Sequence, residues 1–252
     1  MYTIQFIEDV VFYGTDRERL RLDLYVPEGK EDFTTIVLFF GGGLTAGSKE
    51  DLGKLAEALT TEGYGVVTPN YRYYPDYPFP TPVQDAAAAL HWVRRSITNY
   101  GGSGKIFVGG HSAGAYLSMM LAFDKRFLSP YDIDPDQDIA GWLMLSGQPT
   151  LHFNIMKFEG TDPRRVIIDE RAPLYHVNRS EGAPMLILCS DNDIPNRLLQ
   201  NELLVASMKA FSYASDISFI TMQGHDHVSY MLPDADGRFP IMEELIKFIE
   251  MH

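Results

Sequence analysis

Short apolar runs alternate with longer stretches along most of the chain, and this rhythm restricts the possible fold more than any other feature. From Thr34 onward, apolar runs typical of buried strands are mostly separated by segments with helical spacing. Strands that alternate with helices indicate right-handed βαβ units on a parallel sheet. The runs are, in chain order, TTIVLFF, YGVVTP, KIFVGG, GWLMLSG, PMLILCS and DISFITM. The sequence therefore predicts an α/β protein whose long, mostly parallel sheet has helices on both faces.

The N-terminal segment extends this sheet. Tyr2 to Tyr13 and Leu20 to Val26 have strand patterns and flank the turn Gly14-Thr15-Asp16, which predicts an antiparallel pair at one edge. The sheet would then be eight-stranded. Because no fixed-period repeat or low-complexity linker interrupts the chain, we predict a single domain over residues 1–252.

One stretch breaks the rhythm. Residues 147–183 contain apolar and aromatic residues but no clean strand pattern. An insertion at this point of an α/β sheet lies above the carboxyl ends of the strands, where ligands bind. We interpret it as a small cap insertion, with a simple surface loop as the alternative.

The charge balance excludes several classes of partner. The chain has 34 acidic and 21 basic residues, a net charge of −13, which repels nucleic acid and anionic membranes. The N-terminus lacks the pattern of a signal peptide, and no apolar run reaches the ~20 residues of a membrane-spanning helix. The one cysteine, Cys189, cannot close an intramolecular disulfide. We expect a soluble, cytoplasmic protein that binds a small molecule.

The most informative motif is Gly110-His111-Ser112-Ala113-Gly114. It follows an apolar strand and precedes AYLSMMLAF, which has helical spacing. A serine at such a sharp turn has a strained backbone and lies exposed above the sheet edge, and the glycines avoid collisions of a Cβ with neighbouring backbone. Ser112 is therefore a candidate nucleophile; the alternative is a glycine-rich turn with a capping serine.

A nucleophilic serine needs a base and an orienting carboxylate, which should follow it in the chain. The run PMLILCS leads into Asp191-Asn192-Asp193, and DISFITM is followed by Gly224-His225-Asp226-His227. We favour His227 as the base and Asp193 as the acid, because a loop residue or two is needed to reach across. His225 and Asp191 are the alternatives.

Backbone N–H groups must meet the charge that develops on a reacting carbonyl oxygen. Gly41-Gly42-Gly43 follows the strand IVLFF, where such a loop belongs. We predict an oxyanion hole formed by the amides of Gly42, Gly43 and Ala113. GGLTAGSK is not a phosphate-binding loop, because Ser48 intervenes between Gly47 and Lys49.

Taken together, these residues resemble alpha/beta hydrolases of the esterase/lipase group, which includes hormone-sensitive-lipase-like and acetyl-esterase enzymes. The similarity runs from about Leu20 to Val228 and rests on VLFFGGGLTAGSK, NYRYYPDYPFPTPVQDAAAALHWVR, GGHSAGA, PMLILCSDND and GHDHVS. It implies an alpha/beta-hydrolase fold and a serine carboxylester hydrolase for short acyl esters or acetylated and hydroxycinnamoylated sugars, with no metal or organic cofactor. A related branch is similar to kynurenine formamidase, which cleaves an N-formyl group.

The resemblance has one departure. Its oxyanion loop usually begins with histidine, and this chain has Phe40 there, so the support of the loop should differ. An amidase or formamidase and a catalytically weak binding module therefore remain alternatives. Substrate contacts are predicted from Phe40, Leu44, His111, Tyr74 and His152. The apolar residues of the final helix fit either packing on the sheet or a homodimer contact: Ile241, Leu245, Phe248 and Ile249.

Overall fold

An eight-stranded sheet forms the centre of the structure, a computed structural model that describes residues 1–14, 19–213 and 216–252. The strand order is β1-β2-β4-β3-β5-β6-β7-β8. Strands β3 to β8 run parallel, whereas β2 is antiparallel to both β1 and β4. The strands are β1 (Ile4–Val11), β2 (Arg21–Pro27), β3 (Phe33–Phe39), β4 (Gly65–Pro69), β5 (Gly102–His111), β6 (Gly141–Leu145), β7 (Met185–Asn192) and β8 (Ile217–Asp226). The predicted alpha/beta-hydrolase fold class is confirmed.

Helices cover both faces of the sheet. Phe107 of β5 packs edge-on against Phe248 of α6. Gly110 lies three residues further along the same strand, and its Cα faces Gly114 of α3. Residues an odd number apart on a strand point to opposite faces, so α3 and α6 lie on opposite sides. The helices are α1 (Gly53–Thr61), α2 (Thr81–Ser96), α3 (Ala113–Phe123), α4 (Phe153–Phe158), α5 (Arg197–Ala210) and α6 (Met242–Met251).

The boundaries differ from the sequence expectation in a few places. The segment KEDLGKLAEALTTEG, whose spacing predicts a single helix, begins as a 3₁₀ turn, Lys49–Leu52, before α1. Strand β8 continues through Gly224 to Asp226 instead of ending at Met222, because its pairing with β7 resumes after a register shift. Of the predicted turn Gly14-Thr15-Asp16, the last two residues lie outside the described residues.

The segment 147–183 contains α4 and a 3₁₀ turn, Pro173–His176, but little other regular structure. Its inner side chains, including Leu151 and Ile155, are buried, whereas Phe158 and Val166 are exposed. Phe153 and Asn154 at the start of α4 line a cleft at Ser112. The segment therefore contributes to the carboxyl edge of the sheet, and its role as a cap stays a prediction.

The final helix packs against the chain itself. The apolar side chains that fitted either sheet packing or a dimer contact are all buried within this chain: Ile241, Leu245, Phe248 and Ile249. A homodimer stays a prediction, but these side chains are not exposed to a second copy of the chain. Within the described ranges, we find no helix with the length and apolar character needed to cross a membrane.

Candidate active site

The candidate nucleophile lies at a sharp turn between β5 and α3. Ser112 is the first residue after β5, and its backbone has φ 54° and ψ −110°, a region that side chains avoid. A Cβ at Gly110 would lie 2.5 Å from the carbonyl oxygen of Phe39, and one at Gly114 would lie 2.0 Å from the same atom. Both positions therefore require glycine, as the motif predicted. The turn presents Ser112 at the carboxyl edge of the sheet.

Three predicted residues form a hydrogen-bonded series at this edge. The Ser112 Oγ lies 2.8 Å from His227 Nε2, and His227 Nδ1 lies 2.6 Å from Asp193 Oδ1. Since the carboxylate can only accept, Nδ1 carries the proton and Nε2 accepts from the serine hydroxyl. Each residue is the first one after a parallel strand, namely β5, β8 and β7, so the sheet brings together positions that are far apart in the chain.

Asp193 is held by further hydrogen bonds. Its Oδ2 accepts from the hydroxyls of Ser146 at 2.5 Å and Ser190 at 3.1 Å, and its Oδ1 also accepts from the Ile194 amide at 2.7 Å. Burial alone would raise the pKa of this carboxyl, but the hydrogen bonds from His227 and Ser146 lower the pKa to about 2. Asp193 is therefore ionised at neutral pH, as an orienting carboxylate must be.

A second layer of contacts holds Ser146 in place. Ser146 follows β6 directly and has φ 50°. Its Oγ accepts from the hydroxyl of the buried Tyr230 at 2.8 Å, and its carbonyl oxygen accepts from the guanidinium of the buried Arg197. None of these three residues was predicted from the sequence. No local motif marks them, because they come from three separate elements that meet only in the folded chain.

The structure separates the favoured residues from their alternatives. His225 Nδ1 lies 3.1 Å from Ser229 Oγ instead of facing Ser112. Asp191 is exposed, and its Oδ1 accepts from the Gly224 amide at 2.9 Å. Asp226 accepts from the amides of Val228 and Ser229. These three side chains organise the loop after β8, whereas His227 and Asp193 reach the serine.

The glycine loop after β3 lies against the nucleophile. A Cβ at Gly41 would lie 3.4 Å from Ser112 Cβ. The Gly42 carbonyl accepts from the amides of Thr45 and Ala46, both at 3.1 Å, and the Gly43 carbonyl accepts from Asn154 Nδ2 at 2.6 Å. The three glycines of this loop line the cleft at Ser112, and their role as an oxyanion hole stays a prediction. Ala113 opens α3, where no preceding helical carbonyl accepts from its amide.

Tyr71 supports this loop, and Phe40 occupies the position at which the family pattern has histidine. Phe40 is buried and stacks on Tyr71, with ring centroids 4.2 Å apart. The Tyr71 hydroxyl donates to the carbonyl oxygens of Phe40 at 2.9 Å and Gly41 at 3.0 Å. The departure at Phe40 therefore changes the side chain that anchors the loop without removing the anchor.

His111 lies beneath the candidate base. Its Nε2–H donates to the carbonyl of His227 at 2.7 Å, and the two rings lie 4.7 Å apart. Burial, followed by the charge of His227, lowers the pKa of His111 to about 3, so it stays neutral. His111 also lines the cleft, where we predicted a substrate contact.

Four other residues predicted to contact the substrate have side chains that do not line the cleft at Ser112. Phe40 packs on Tyr71, and Leu44 is buried in the core. His152 is buried and accepts from the Asn154 amide at the start of α4. Tyr74 stacks on Phe158 and lines a separate small cavity.

The cleft at Ser112 has a volume of about 760 Å³. Its lining combines the glycine loop with apolar and charged side chains. The apolar residues are Leu52, Leu55, Phe153, Ile194, Val228, Met231, Leu232, Pro233 and Phe239. The charged ones are Glu50, Asp51 and Lys54. Such a cleft fits a small organic molecule with an apolar part.

The fold and the site together define an alpha/beta hydrolase. A family model described as BD-FAE matches residues 22–138. Esterase B from Lactobacillus rhamnosis has a similar structure, with a TM-score of 0.80 and 16% identity, covering 98% of this chain and 85% of that one.

Two curated proteins are similar to this chain in sequence. Kynurenine formamidase of Danio rerio is 26% identical over 94% of this chain and 80% of its own length. Carboxylesterase NlhH of Mycobacterium tuberculosis is 32% identical, but over only 38% of this chain and 31% of its own. The chain is similar to the esterase and lipase group of alpha/beta hydrolases, and these similarities support a hydrolase of the carboxylester class.

Proposed function

We propose that this protein hydrolyses small or short-chain carboxylic esters through a covalent acyl-enzyme on Ser112. The observation that carries this proposal is the series from Ser112 Oγ through His227 to Asp193, at 2.8 and 2.6 Å. It lies beside a glycine loop whose carbonyls are engaged elsewhere. A nucleophile, a base, an orienting acid and N–H donors are the groups that acyl transfer requires.

In the proposed reaction, the Ser112 hydroxyl attacks the ester carbonyl while His227 Nε2 takes the hydroxyl proton. Asp193 holds the imidazole by its Nδ1–H and stabilises the imidazolium. The amides of Gly42, Gly43 and Ala113 hydrogen-bond to the oxyanion. His227 then gives its proton to the leaving alcohol. Water adds to the acyl-enzyme with His227 as base and releases the acid and Ser112.

A test is hydrolysis of p-nitrophenyl esters from acetyl through decanoyl by the wild type and by Ser112→Ala. We expect turnover that is greatest for short acyl chains and lost in the variant. Turnover that does not depend on Ser112 would contradict the proposal. A serine-reactive phosphonate probe gives a second measurement, since labelling at Ser112 excludes the alternative of a binding module without a reactive serine. Acetylated and aromatic-acylated sugars extend the series to the substrates that the family resemblance suggested.

An amide substrate is the second candidate. The similarity to the formamidase favours this candidate, because that protein aligns with nearly the whole chain. The same three residues can cleave an N-formyl amide, provided that the departing nitrogen receives its proton from His227. The relative kcat/KM for an N-formyl aromatic amine and for the best p-nitrophenyl ester decides between the two bond classes.

A further inference from the structure

A second cavity, of about 380 Å³, adjoins the cleft at Ser112. It lies between the segment 147–183 and the first turn of α5. Phe153 and Ile194 line both the cleft and this cavity. A molecule bound at Ser112 therefore lies next to the second cavity, with these two side chains at the boundary.

The lining of this cavity is unusual in its charge. It includes Arg164, Arg165 and Arg197, and its other lining residues in the described part of the chain are neutral. The cleft, by contrast, combines Lys54 with two acidic side chains, and a cavity beside α2 combines two arginines with two acidic side chains. The chain as a whole has 34 acidic residues against 21 basic ones. A cavity whose charged lining residues are all positive is therefore a local exception to the acidic character of the chain.

Among the described residues, two of these arginines form no ion pair with a carboxylate. Arg164 pairs with Asp162 at 2.5 Å. Arg197 is only 3% exposed, and its guanidinium donates to two neutral oxygens, the Ser146 carbonyl and Gln148 Oε1. Arg165 is exposed at the rim, and no ion pair of its side chain occurs in the ranges that the structure describes. An anion entering the cavity would thus meet two guanidinium groups that form no ion pair within the described residues, although Asp193 and Asp162 offset part of their charge from a distance.

The start of α5 adds to the positive electrostatic potential in this cavity. Arg197 is the first residue of this 14-residue helix, and Asn196, Arg197 and Gln200 all line the cavity. The N-terminal end of a helix carries a partial positive charge that favours anions within the first turn. The helix end and the arginines therefore act in the same direction.

We propose that this cavity binds a carboxylate of the substrate, so that the preferred substrate is an ester or amide with an anionic group several bonds from the scissile carbonyl. The inference deepens the proposed function and rests on it. Arginine is suited to this role because its planar guanidinium pairs with both oxygens of a carboxylate. Without such a site, the net charge of −13 would disfavour an anionic substrate.

The test compares neutral and carboxylate-bearing esters of matched length. For the acyl side, each pair has the same number of acyl carbons. The shortest pair is p-nitrophenyl butyrate and mono-p-nitrophenyl succinate, and the longest is p-nitrophenyl octanoate and mono-p-nitrophenyl suberate. On the alcohol side, the pair is phenyl butyrate with 4-(butanoyloxy)benzoate. We expect kcat/KM to be higher for the carboxylate ester in at least one pair. In Arg165→Gln, the ratio of the two kcat/KM values should fall about fivefold, through KM, since the guanidinium is partly solvated.

Arg95→Gln is the matched control, because Arg95 is exposed on α2 and its loss changes the net charge equally. This variant should keep the wild-type ratio. The wild-type ratio should also fall when salt is raised from about 50 to about 500 mM, since ions screen exposed charges. A ratio below one in every pair, or an equal ratio in wild type and Arg165→Gln, would overturn the proposal.

Failure of the proposed function gives a different result. In that case no ester is turned over in a Ser112-dependent way. Calorimetric binding of monomethyl glutarate, which has one carboxylate, and of methyl valerate, which has none, to the Ser112→Ala protein then tests the cavity alone. Tighter binding of monomethyl glutarate that disappears in the Ser112→Ala, Arg165→Gln double variant supports the anion site, and equal binding of the two esters overturns it.

Discussion

The two halves of the candidate site are held in place by different means. In the N-terminal half, the backbone dominates: Ser112 has a positive φ, and Gly110 and Gly114 lie where a Cβ would collide with Phe39. In the C-terminal half, Asp193 and His227 are held by side-chain hydrogen bonds from elements that are distant in sequence. The family model matches residues 22–138, which include only the first of these halves.

This difference explains why one half is easier to recognise. A backbone that passes within van der Waals distance of another backbone tolerates only glycine, so this steric requirement produces a short motif that can be recognised in the sequence. A side-chain network can be built by many residue combinations, provided that each donor meets an acceptor. The geometry of the first half is thus determined by steric exclusion and that of the second by hydrogen bonds. Mutations should distinguish these two contributions.

The largest effect is expected at the base. His227→Ala should lower kcat by about 10⁴-fold or more, because the hydroxyl of Ser112 loses its proton acceptor. His225→Ala, two residues away in the same loop, should stay within about twofold of wild type, since its side chain contacts Ser229 and not the serine nucleophile. The measurement is kcat with a short p-nitrophenyl ester. Comparable losses in the two variants would contradict the assignment of the base.

The next effect concerns the stability of the turn. A Cβ at Gly114 would lie 2.0 Å from the Phe39 carbonyl oxygen, whereas one at Gly104 has no atom within 4 Å. Gly114→Ala should lower the free energy of unfolding by about 3 kcal/mol or more. Gly104 has φ +83°, so Gly104→Ala should cost about 1 kcal/mol from backbone strain alone. Urea unfolding curves measure both, and similar midpoints would show that the collision does not constrain the turn.

Acid should destabilise the protein through two buried histidines, His111 in the N-terminal half of the site and His152 at the start of α4. Burial lowers the pKa of both His111 and His152 to about 3. The unfolded chain takes up these protons near pH 6.5 and the native chain does not, so the free energy of unfolding falls as the pH drops below 6.5. At pH 5 the loss is about 2 kcal/mol per histidine.

The variant His152→Asn isolates one of these contributions. Its side-chain oxygen can still accept from the Asn154 amide at the start of α4. The difference in unfolding free energy between pH 7 and pH 5, measured with urea, should be smaller than in wild type by about 2 kcal/mol. An unchanged difference would mean that His152 does not titrate on unfolding.

The smallest effect is expected in the network behind the acid. Ser146→Ala removes the 2.5 Å hydrogen bond to Asp193 and leaves the Tyr230 hydroxyl without its acceptor. We expect kcat to fall about tenfold with little change in KM, because the imidazole is less firmly held. Thr60→Val is the control, since it removes a buried hydroxyl that bonds only within α1. A rise in KM at constant kcat would argue against a positioning role for Ser146.

The sequence predicted the elements well wherever local patterns decide. Helix α3 spans Ala113 to Phe123 as expected, and the predicted mostly parallel sheet is present. The sequence did not predict the directions of several side chains near the motifs: Phe40, Leu44, Tyr74 and His152 are engaged in packing. Closeness to a motif along the chain does not tell whether a side chain points into a cleft or into the core.

The sequence by itself determined the α/β class, the glycine-flanked turn at Ser112 and the order of the serine, the acid and the base. These follow from periodicity and steric exclusion, which act between residues that are near in the chain. Only the tertiary structure decided that His227 rather than His225 reaches Ser112, that Tyr71 anchors the glycine loop and that Ser146 holds Asp193. Those contacts join strand ends that are distant in the chain, and their geometry exists only once the sheet has formed.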